Sequence, residues 1–227
     1  LIYGTITKIY LDKQQAEVKL DKKLDEILKN KTKYKIPFVN LKKSENKKYK
    51  IDKYTESILR AQYQSHKNYV IERMKLLKVV KIRLPCIPED ISENIIKFII
   101  HKYGDKSSSW NCKSGDLISK KEGKQECKCF TSNGPSSFTP SSDWDVIYFF
   151  DARNWLNDIF ILYRIKLKRT SDEWKKIKVS KIQTFDDQCQ QGRRPRISWN
   201  SLQPQISEFC TKIYEGTFED IFSFIKK

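Results

Sequence analysis

The stretch "GDLISKKEGKQECKCF", residues 115–130, contains two short strand-like segments separated by a turn-like "KKEGK". The alternation of "KQECKCF" puts Glu126 and Lys128 on one face of a strand and turns the neighbouring cysteines toward a core on the other face. Asp116 lies in the segment before the turn, so a hairpin would return the chain past it. We therefore predict that Asp116, Glu126 and Lys128 meet at one edge of a sheet.

The spacing of carboxylate and lysine is not distinctive by itself, because a carboxylate followed two residues later by lysine occurs six times in the chain. What distinguishes Glu126 is its place in an alternating segment. Glu122, in the turn, is the main alternative for the second acid. We favour Glu126, because a turn holds a side chain less firmly than a strand. The remaining alternative is that Asp116, Glu126 and Lys128 form an ordinary salt-bridged patch on an exposed strand.

An excess of positive charge characterises the whole chain: 45 Lys and Arg against 28 Asp and Glu give a formal net charge of +17 over 227 residues. This balance favours a polyanionic partner such as nucleic acid, although an AT-rich genome that enriches lysine would give a similar composition. No run approaches the ~20 apolar residues of a membrane-spanning helix, and the N-terminus lacks a signal-peptide pattern. We therefore expect a cytoplasmic protein without a membrane segment.

Hydrophobic periodicity predicts further elements around the hairpin. In chain order they are an N-terminal hairpin around "DKQQ", a long helix 55–82 with Thr55 as N-cap, a helix 89–103 ended by Gly104, strands at "WDVIYFFDA" and "DIFILYRIKLK", a helix at about 198–214, and a last helix capped by Thr217. The segment "WDVIYFFDA" is almost entirely apolar, which is typical of a central strand buried on both faces. Residues 31–50, with eight lysines, are interpreted as either a solvated loop or a phosphate-facing surface.

The residue types in the hairpin suit phosphodiester hydrolysis. That reaction needs neutralisation of the phosphoryl oxygens and an activated water, and Mg²⁺ held by carboxylate oxygens supplies both. Asp116 and Glu126 would be the metal ligands, with the backbone carbonyl of Cys127 as a third. Lys128 would orient or deprotonate the water and stabilise the transition state.

The order of elements resembles the PD-(D/E)XK nuclease superfamily: a helix, a short strand with the acid, a turn, a strand with acid-x-Lys, then further strands. Gly115 stands where that superfamily usually has proline. The resemblance implies an α/β fold with a PD-(D/E)XK nuclease core, in which helices flank a central mixed sheet, with an N-terminal hairpin and helical elaborations. Glu93 looks like the auxiliary acid of some type II restriction endonucleases, although Glu89 and Asp90 compete for that role.

A closer resemblance is to compact type II restriction endonucleases of the SwaI kind. It implies Mg²⁺-dependent double-strand cuts in double-stranded DNA at a palindrome, with ATTTAAAT and blunt ends as the expected target. A two-fold symmetric homodimer would present one active site to each strand, and helix 55–82 is the candidate dimer contact. The alternatives are a basic DNA-binding protein without catalysis and a structure-specific repair nuclease.

Two polar segments are candidates for contact with DNA. The loop 131–142 carries Asn133, Ser136 and Ser137, and Asn133 is the best single candidate for hydrogen bonds to adenine. The basic loop 190–196 carries Arg193, Arg194 and Arg196, which could hold phosphates or read guanine; a target without guanine would leave phosphate or minor-groove contact. A plain connection and a solvated turn are the respective alternatives.

The predicted organisation is a single endonuclease domain over residues 1–227. Within it, residues 1–84 form an elaboration for DNA or dimer contact, residues 85–170 form the catalytic core, and residues 171–227 form a DNA-contacting and helical part. Lys113, ahead of the hairpin, is a further candidate for DNA contact.

Overall fold

The computed structural model describes residues 4–10, 15–20, 33–37, 53–110 and 116–223. These residues belong to two compact units, one within residues 1–48 and one within residues 49–227. In the described ranges, no helix is both long enough and apolar enough to cross a membrane. A single endonuclease domain over the whole chain stays a prediction.

The first unit contains a three-stranded antiparallel sheet. Its strands are β1 (Gly4–Tyr10), β2 (Gln15–Leu20) and β3 (Lys33–Pro37), in that spatial order. The predicted N-terminal hairpin is confirmed by the pairing of β1 with β2. The strand β3 lies inside the basic region that was expected to be a loop or a phosphate-facing surface. Its sequence "KYKIP" alternates polar and apolar residues, which suits a strand paired on one side with β2.

The second unit contains helices, a large sheet and a small ribbon. Its elements in chain order are α1 (Lys53–Leu76), α2 (Glu89–Lys102), β4 (Ser109–Trp110), β5 (Leu117–Ser119), β6 (Gly123–Phe130), β7 (Pro135–Ser137), β8 (Val146–Asp151), β9 (Ile159–Ile165), α3 (Asp172–Lys175), α4 (Phe185–Gln190), β10 (Arg196–Ser198), α5 (Trp199–Leu202), β11 (Cys210–Thr217) and α6 (Phe218–Phe222).

Six of these strands form the mixed sheet β11-β9-β8-β6-β5-β4, in which β6 and β8 are parallel and the other neighbours antiparallel. All six residues of β8 are buried, as predicted for a central strand. Tyr148 and Phe150 pack into a core that includes α2, whereas Ile147 and Phe149 pack into a second core on the other face. The predicted α/β architecture with a mixed sheet and flanking helices is confirmed.

The helix predicted at about 198–214 is wrong. The helix α5 ends at Leu202, two short 3-10 turns follow, and the chain then forms the edge strand β11. Pro204 lies inside the predicted helix and cannot donate a helical hydrogen bond. The segment "CTKIYEGT" instead pairs antiparallel with β9, so sheet pairing overrides the weak helical pattern.

The other helices agree with their patterns more closely. The helix α1 covers Lys53–Leu76 and not 55–82, so Thr55 lies inside the helix and is not its N-cap. The helix α2 ends at Lys102, and Gly104 follows with φ of 125°, a conformation that costs glycine little. Thr217 caps α6 as predicted, in a capping box with Asp220.

Candidate active site

The hairpin formed by β5 and β6 brings Asp116 beside β6. The turn between the strands needs Gly123, whose φ is 75° and where a Cβ would lie 2.2 Å from Asp145 Oδ2. The strand β5 is only three residues long, and its pairing ends where Leu117 meets Gln125. Asp116 is therefore next to the start of the β6 segment that β5 does not cover.

Where the pairing of β5 with β6 ends, the side chain of Asp116 makes the next hydrogen bond to β6. The Oδ2 atom of Asp116 accepts a hydrogen bond of 2.6 Å from the backbone N–H of Cys127. The carboxylate is thereby fixed against β6, beside the acid-x-lysine pair. The expectation of a site at a sheet edge needs correction, because β6 is an inner strand between β8 and β5. The site lies on the part of β6 that has no pairing with the short strand β5.

Glu126 and Lys128 share one face of β6, as the alternation predicted. The ammonium of Lys128 donates a hydrogen bond of 2.5 Å to Glu126 Oε1, and the two side chains are 22% and 6% exposed respectively. Cys127 and Cys129 pack on the opposite face, in the core that includes α2. The ammonium also lies 5.7 Å from the ring centroid of Phe138, a cation–π contact. Lys128 is thus held in one position from two sides.

Glu93 on α2 belongs to the same electrostatic cluster. Burial raises the pKa of Glu93 to about 7, with further contributions from Asp116 and Glu89 and an opposing one from Lys128. Burial also raises the pKa of Asp116 to about 6, assisted by Glu126 and opposed by the Cys127 N–H and by Lys128. These carboxyl groups repel one another strongly enough that each prefers a proton or a cation nearby.

The donor chemistry of this cluster fits Mg²⁺. Carboxylate oxygens are hard ligands, and protein-bound Mg²⁺ commonly takes one or two of them and keeps several waters. In the part of the chain that the structure describes, no three His, Cys, Asp or Glu side chains are arranged to hold a metal ion. A metal here would therefore rest on the two carboxylates of Asp116 and Glu126, completed by backbone, water or substrate oxygens. Its positive charge would favour the ionised carboxylates, which burial and, to a lesser degree, mutual repulsion disfavour.

Glu122 is held more firmly than its place in a turn predicted, so the reason for setting it aside was wrong. Its side chain is 6% exposed. One carboxylate oxygen accepts hydrogen bonds from Tyr148 at 2.5 Å and Gln125 at 3.0 Å, and the other accepts from Arg164 at 3.1 Å. Both oxygens of Glu122 thus already have protein partners. The choice of Glu126 as the second acid stays a prediction.

The two predicted DNA-contacting loops meet in space. The strand β7 from the first loop pairs antiparallel with β10 from the second, so that Ser137 faces Arg196 and Ser136 faces Ile197. The backbone N–H of Phe138 extends this ribbon with a hydrogen bond to the Pro195 carbonyl. The ribbon follows directly after β6, which carries Glu126 and Lys128.

The arginines of the basic loop reach outward from this ribbon. Arg193, Arg194 and Arg196 are all exposed. Arg193 donates a hydrogen bond of 3.3 Å to Gln183, whereas Arg194 has no side-chain partner among the described residues. Lys113 lies outside the described residues.

Arg153 is a residue that the sequence reasoning missed. It donates to both carboxylate oxygens of Asp151 and, at 2.7 Å, to Asn133 Oδ1. The available signal was a charged pair at the end of an otherwise apolar strand, "YFFDAR", where side chains leave the core for a functional surface.

A family model described as Bsp6I restriction endonuclease matches residues 51–204. The chain belongs to this family. The match includes both strands of the hairpin and both strands of the ribbon. A curated relative, the type II restriction enzyme Bsp6I of Bacillus sp. (strain RFL6), is 43% identical over 63 residues, which is 28% of this chain and 34% of the relative. The similarity therefore spans about a third of that relative's length. No solved structure matches the chain.

Proposed function

We propose that this chain is a type II restriction endonuclease that hydrolyses phosphodiester bonds of double-stranded DNA with Mg²⁺. The observation that carries the proposal is the convergence of Asp116, Glu126 and Lys128 where β5 leaves β6. Membership of the Bsp6I family supports the endonuclease activity. The PD-(D/E)XK assignment rests on the same hairpin together with α2 and its Glu93.

Each residue of the cluster has a distinct role in this proposal. Asp116 and Glu126 hold Mg²⁺, with the Cys127 carbonyl as a third ligand; the bound ion would supply charge neutralisation and a more acidic water. Burial opposes the charged form of Lys128, but the neighbouring Glu126 outweighs it and raises the pKa. Lys128 therefore works as a fixed cation that orients the water and stabilises transition-state charge, and not as a base. Glu93 is the auxiliary acid.

A homodimer would place one such site on each DNA strand. The support in the chain is a group of exposed apolar residues on the last turns of α1 and just after it. We call this group the α1 patch; its members are Tyr69, Ile71, Met74, Leu76, Leu77, Val79 and Val80. Apolar residues concentrated in this way mark interaction surfaces more often than scattered ones do.

The target ATTTAAAT with blunt ends stays a prediction from the resemblance to SwaI-like enzymes. The exposed arginines of the ribbon are compatible with phosphate contacts on such a target and with guanine contacts on another. Sequencing the ends of the cleavage fragments identifies the target sequence and the position of the cut.

The test is digestion of phage DNA by the purified chain, with Mg²⁺ and with EDTA. Discrete fragments that require Mg²⁺ are the expected result. A smear, or cuts governed by DNA shape, would indicate a structure-specific repair nuclease. Intact DNA that is nevertheless bound would indicate a DNA-binding protein without catalysis, and either outcome overturns the proposal.

A further inference from the structure

Arg153 is held rigidly just beyond the end of β8. Its Nε donates to Asp151 Oδ1 at 3.0 Å, and its second terminal nitrogen donates to Asp151 Oδ2 at 2.6 Å. Asp151 is itself buried, with 6% of its side chain exposed. The guanidinium carbon also lies 5.4 Å from the ring centroid of Phe130. Because the guanidinium is planar and two of its nitrogens are bound to Asp151, its remaining N–H donors can point in one direction only.

The remaining donors of Arg153 hold the side chain of Asn133. The NH1 atom of Arg153 donates to Asn133 Oδ1 at 2.7 Å and makes a longer contact of 3.4 Å with Asn200 Oδ1. A guanidinium has donors and no acceptor. The oxygen of the Asn133 amide must therefore face Arg153, and its NH₂ group must face away. Asn133 is exposed, so this NH₂ group is available to a ligand.

Asn133 lies between the candidate active site and the ribbon. Phe130, which packs against Arg153, is two residues after Lys128 on the same face of β6. Asn133 is two residues before β7, whose partner strand β10 carries Arg196. DNA that reached the catalytic face would meet this side chain together with the ribbon.

We propose that Arg153 is a positioning residue for base recognition, which holds Asn133 so that it offers two donors and no acceptor. The inference rests on the proposed function. Guanine presents two adjacent acceptors, N7 and O6, in the major groove, whereas adenine presents an acceptor and a donor and needs an amide that also accepts. Asn133 in this orientation suits guanine, in place of the adenine contact that its residue type alone suggested. The inference therefore predicts a target that contains guanine, which ATTTAAAT does not.

The decisive variant is Asn133→Asp. Aspartate keeps an oxygen for Arg153 but replaces the outward NH₂ group by a second oxygen, so the fold and the Arg153 contacts are retained. After the target has been read from the wild-type fragment ends, cleavage rates are measured on duplexes in which each base pair is changed in turn. We expect the variant to cut the target about 10- to 100-fold more slowly and to lose discrimination at one guanine only. Asn157→Asp, an exposed asparagine with the same change of charge, should cut normally.

A second variant addresses the positioning role directly. Arg153→Lys keeps the charge, but its single ammonium cannot hold Asp151 and Asn133 in the same geometry. We expect it to relax discrimination at the same base pair as Asn133→Asp, and melting curves report any separate effect on folding.

Three results would overturn the inference while leaving the proposed function intact. They are a wild-type target without guanine, such as ATTTAAAT, normal cleavage by Asn133→Asp, and a loss that is equal for all sequences, which is the signature of a general charge effect. If the wild-type chain gives no discrete fragments, the proposed function fails, and this inference falls with it.

Discussion

At Lys128 a mostly buried ammonium is kept charged by the carboxylate of Glu126 and lies against the ring of Phe138. A cation in this setting stabilises negative charge without any rearrangement at the moment of reaction. At Glu122, an equally buried carboxylate is neutralised by Arg164 and serves the fold. The same acid-x-lysine spacing thus occurs in two settings: Glu126 pairs with Lys128 of its own strand, whereas Glu122 pairs with Arg164 of β9.

Replacement of Lys128 by alanine should separate binding from cleavage. We expect Lys128→Ala to bind its target DNA with affinity near that of the wild type, while cleavage falls about 100-fold or more, because the positive charge at the phosphoryl group is lost. Gel shift and single-turnover cleavage measure the two effects. Lys124→Ala is the matched control, since Lys124 is on the same strand and pairs with Asp143 at the surface. Normal cleavage by Lys128→Ala would refute the assignment.

Replacement of the two candidate acids should distinguish a structural from a catalytic carboxylate. Glu122→Ala leaves Arg164 without its partner, so we expect a loss of about 3 kcal/mol in the free energy of unfolding. The folded fraction should still cut DNA. Glu126→Ala leaves Lys128 without its partner in the same way, so we expect a similar loss of stability, but its folded fraction should be inactive. Urea unfolding and cleavage per folded molecule measure these effects, and an inactive, folded Glu122→Ala beside an active Glu126→Ala would reverse the assignment.

The raised pKa of Glu93 predicts a pH-dependent stability without metal. Its pKa is about 7 in the folded chain against 4.5 ordinarily, so between these values the folded state binds more protons than the unfolded state. Stability contributed by this group therefore falls as pH rises from about 4.5 to 7. In EDTA, Glu93→Gln should melt at the wild-type temperature at pH 4.5 and at a higher temperature at pH 8. A difference that does not change with pH would contradict the prediction.

At the scale of elements, the ribbon of β7 and β10 joins the two loops that we propose for contact with DNA. Each of its strands has only three residues, too few for strand periodicity to reveal them in sequence. The sequence signals were a polar loop and a basic loop, both of which were predicted as candidates for contact with DNA. Their pairing depends on a register between segments far apart in the chain, which no local pattern specifies.

The exposed Arg194 beside this ribbon gives a prediction about phosphate contact. We expect Arg194→Ala to weaken DNA binding by a similar factor on all sequences and to reduce the slope of log K against log salt by about 1. Binding measured at several salt concentrations, on target and unrelated duplexes, reports both effects. Lys212→Ala on the edge strand β11, where Lys212 pairs with Glu215, should change neither. A selective loss on the target alone would instead indicate base contact.

At the scale of the whole molecule, the high positive charge is compatible with DNA binding but does not locate it. We propose DNA contact at the candidate active site and the ribbon, and self-association at the α1 patch. A two-fold assembly through α1 would give each DNA strand its own hairpin. The α1 patch is apolar enough for such a contact, while Leu59, Tyr63 and Val70 of the same helix are buried in the core.

The dimer prediction is tested at the most exposed residue of the patch. Val79 is 82% exposed, so Val79→Lys should leave the fold intact and disfavour self-association, because it places a charge in an apolar contact. Analytical ultracentrifugation should show a shift from dimer to monomer, and plasmid cleavage should fall. Ile182→Lys is the control, since Ile182 is 86% exposed outside this patch. A wild-type monomer, or a Val79→Lys dimer of unchanged affinity, would exclude this interface.

The sequence by itself determined the hairpin of residues 117–130, the faces of Glu126 and Lys128, the buried central strand and the cap of the last helix. Each of these depends on residues close together in the chain, where periodicity and local hydrogen bonding act directly. Only the tertiary structure decided that β11 is a strand, that Glu122 is a buried ion-pair partner, and that Arg153 turns the donors of Asn133 outward. Those outcomes depend on contacts between distant segments, because burial and hydrogen-bond partners are set by what packs against a residue.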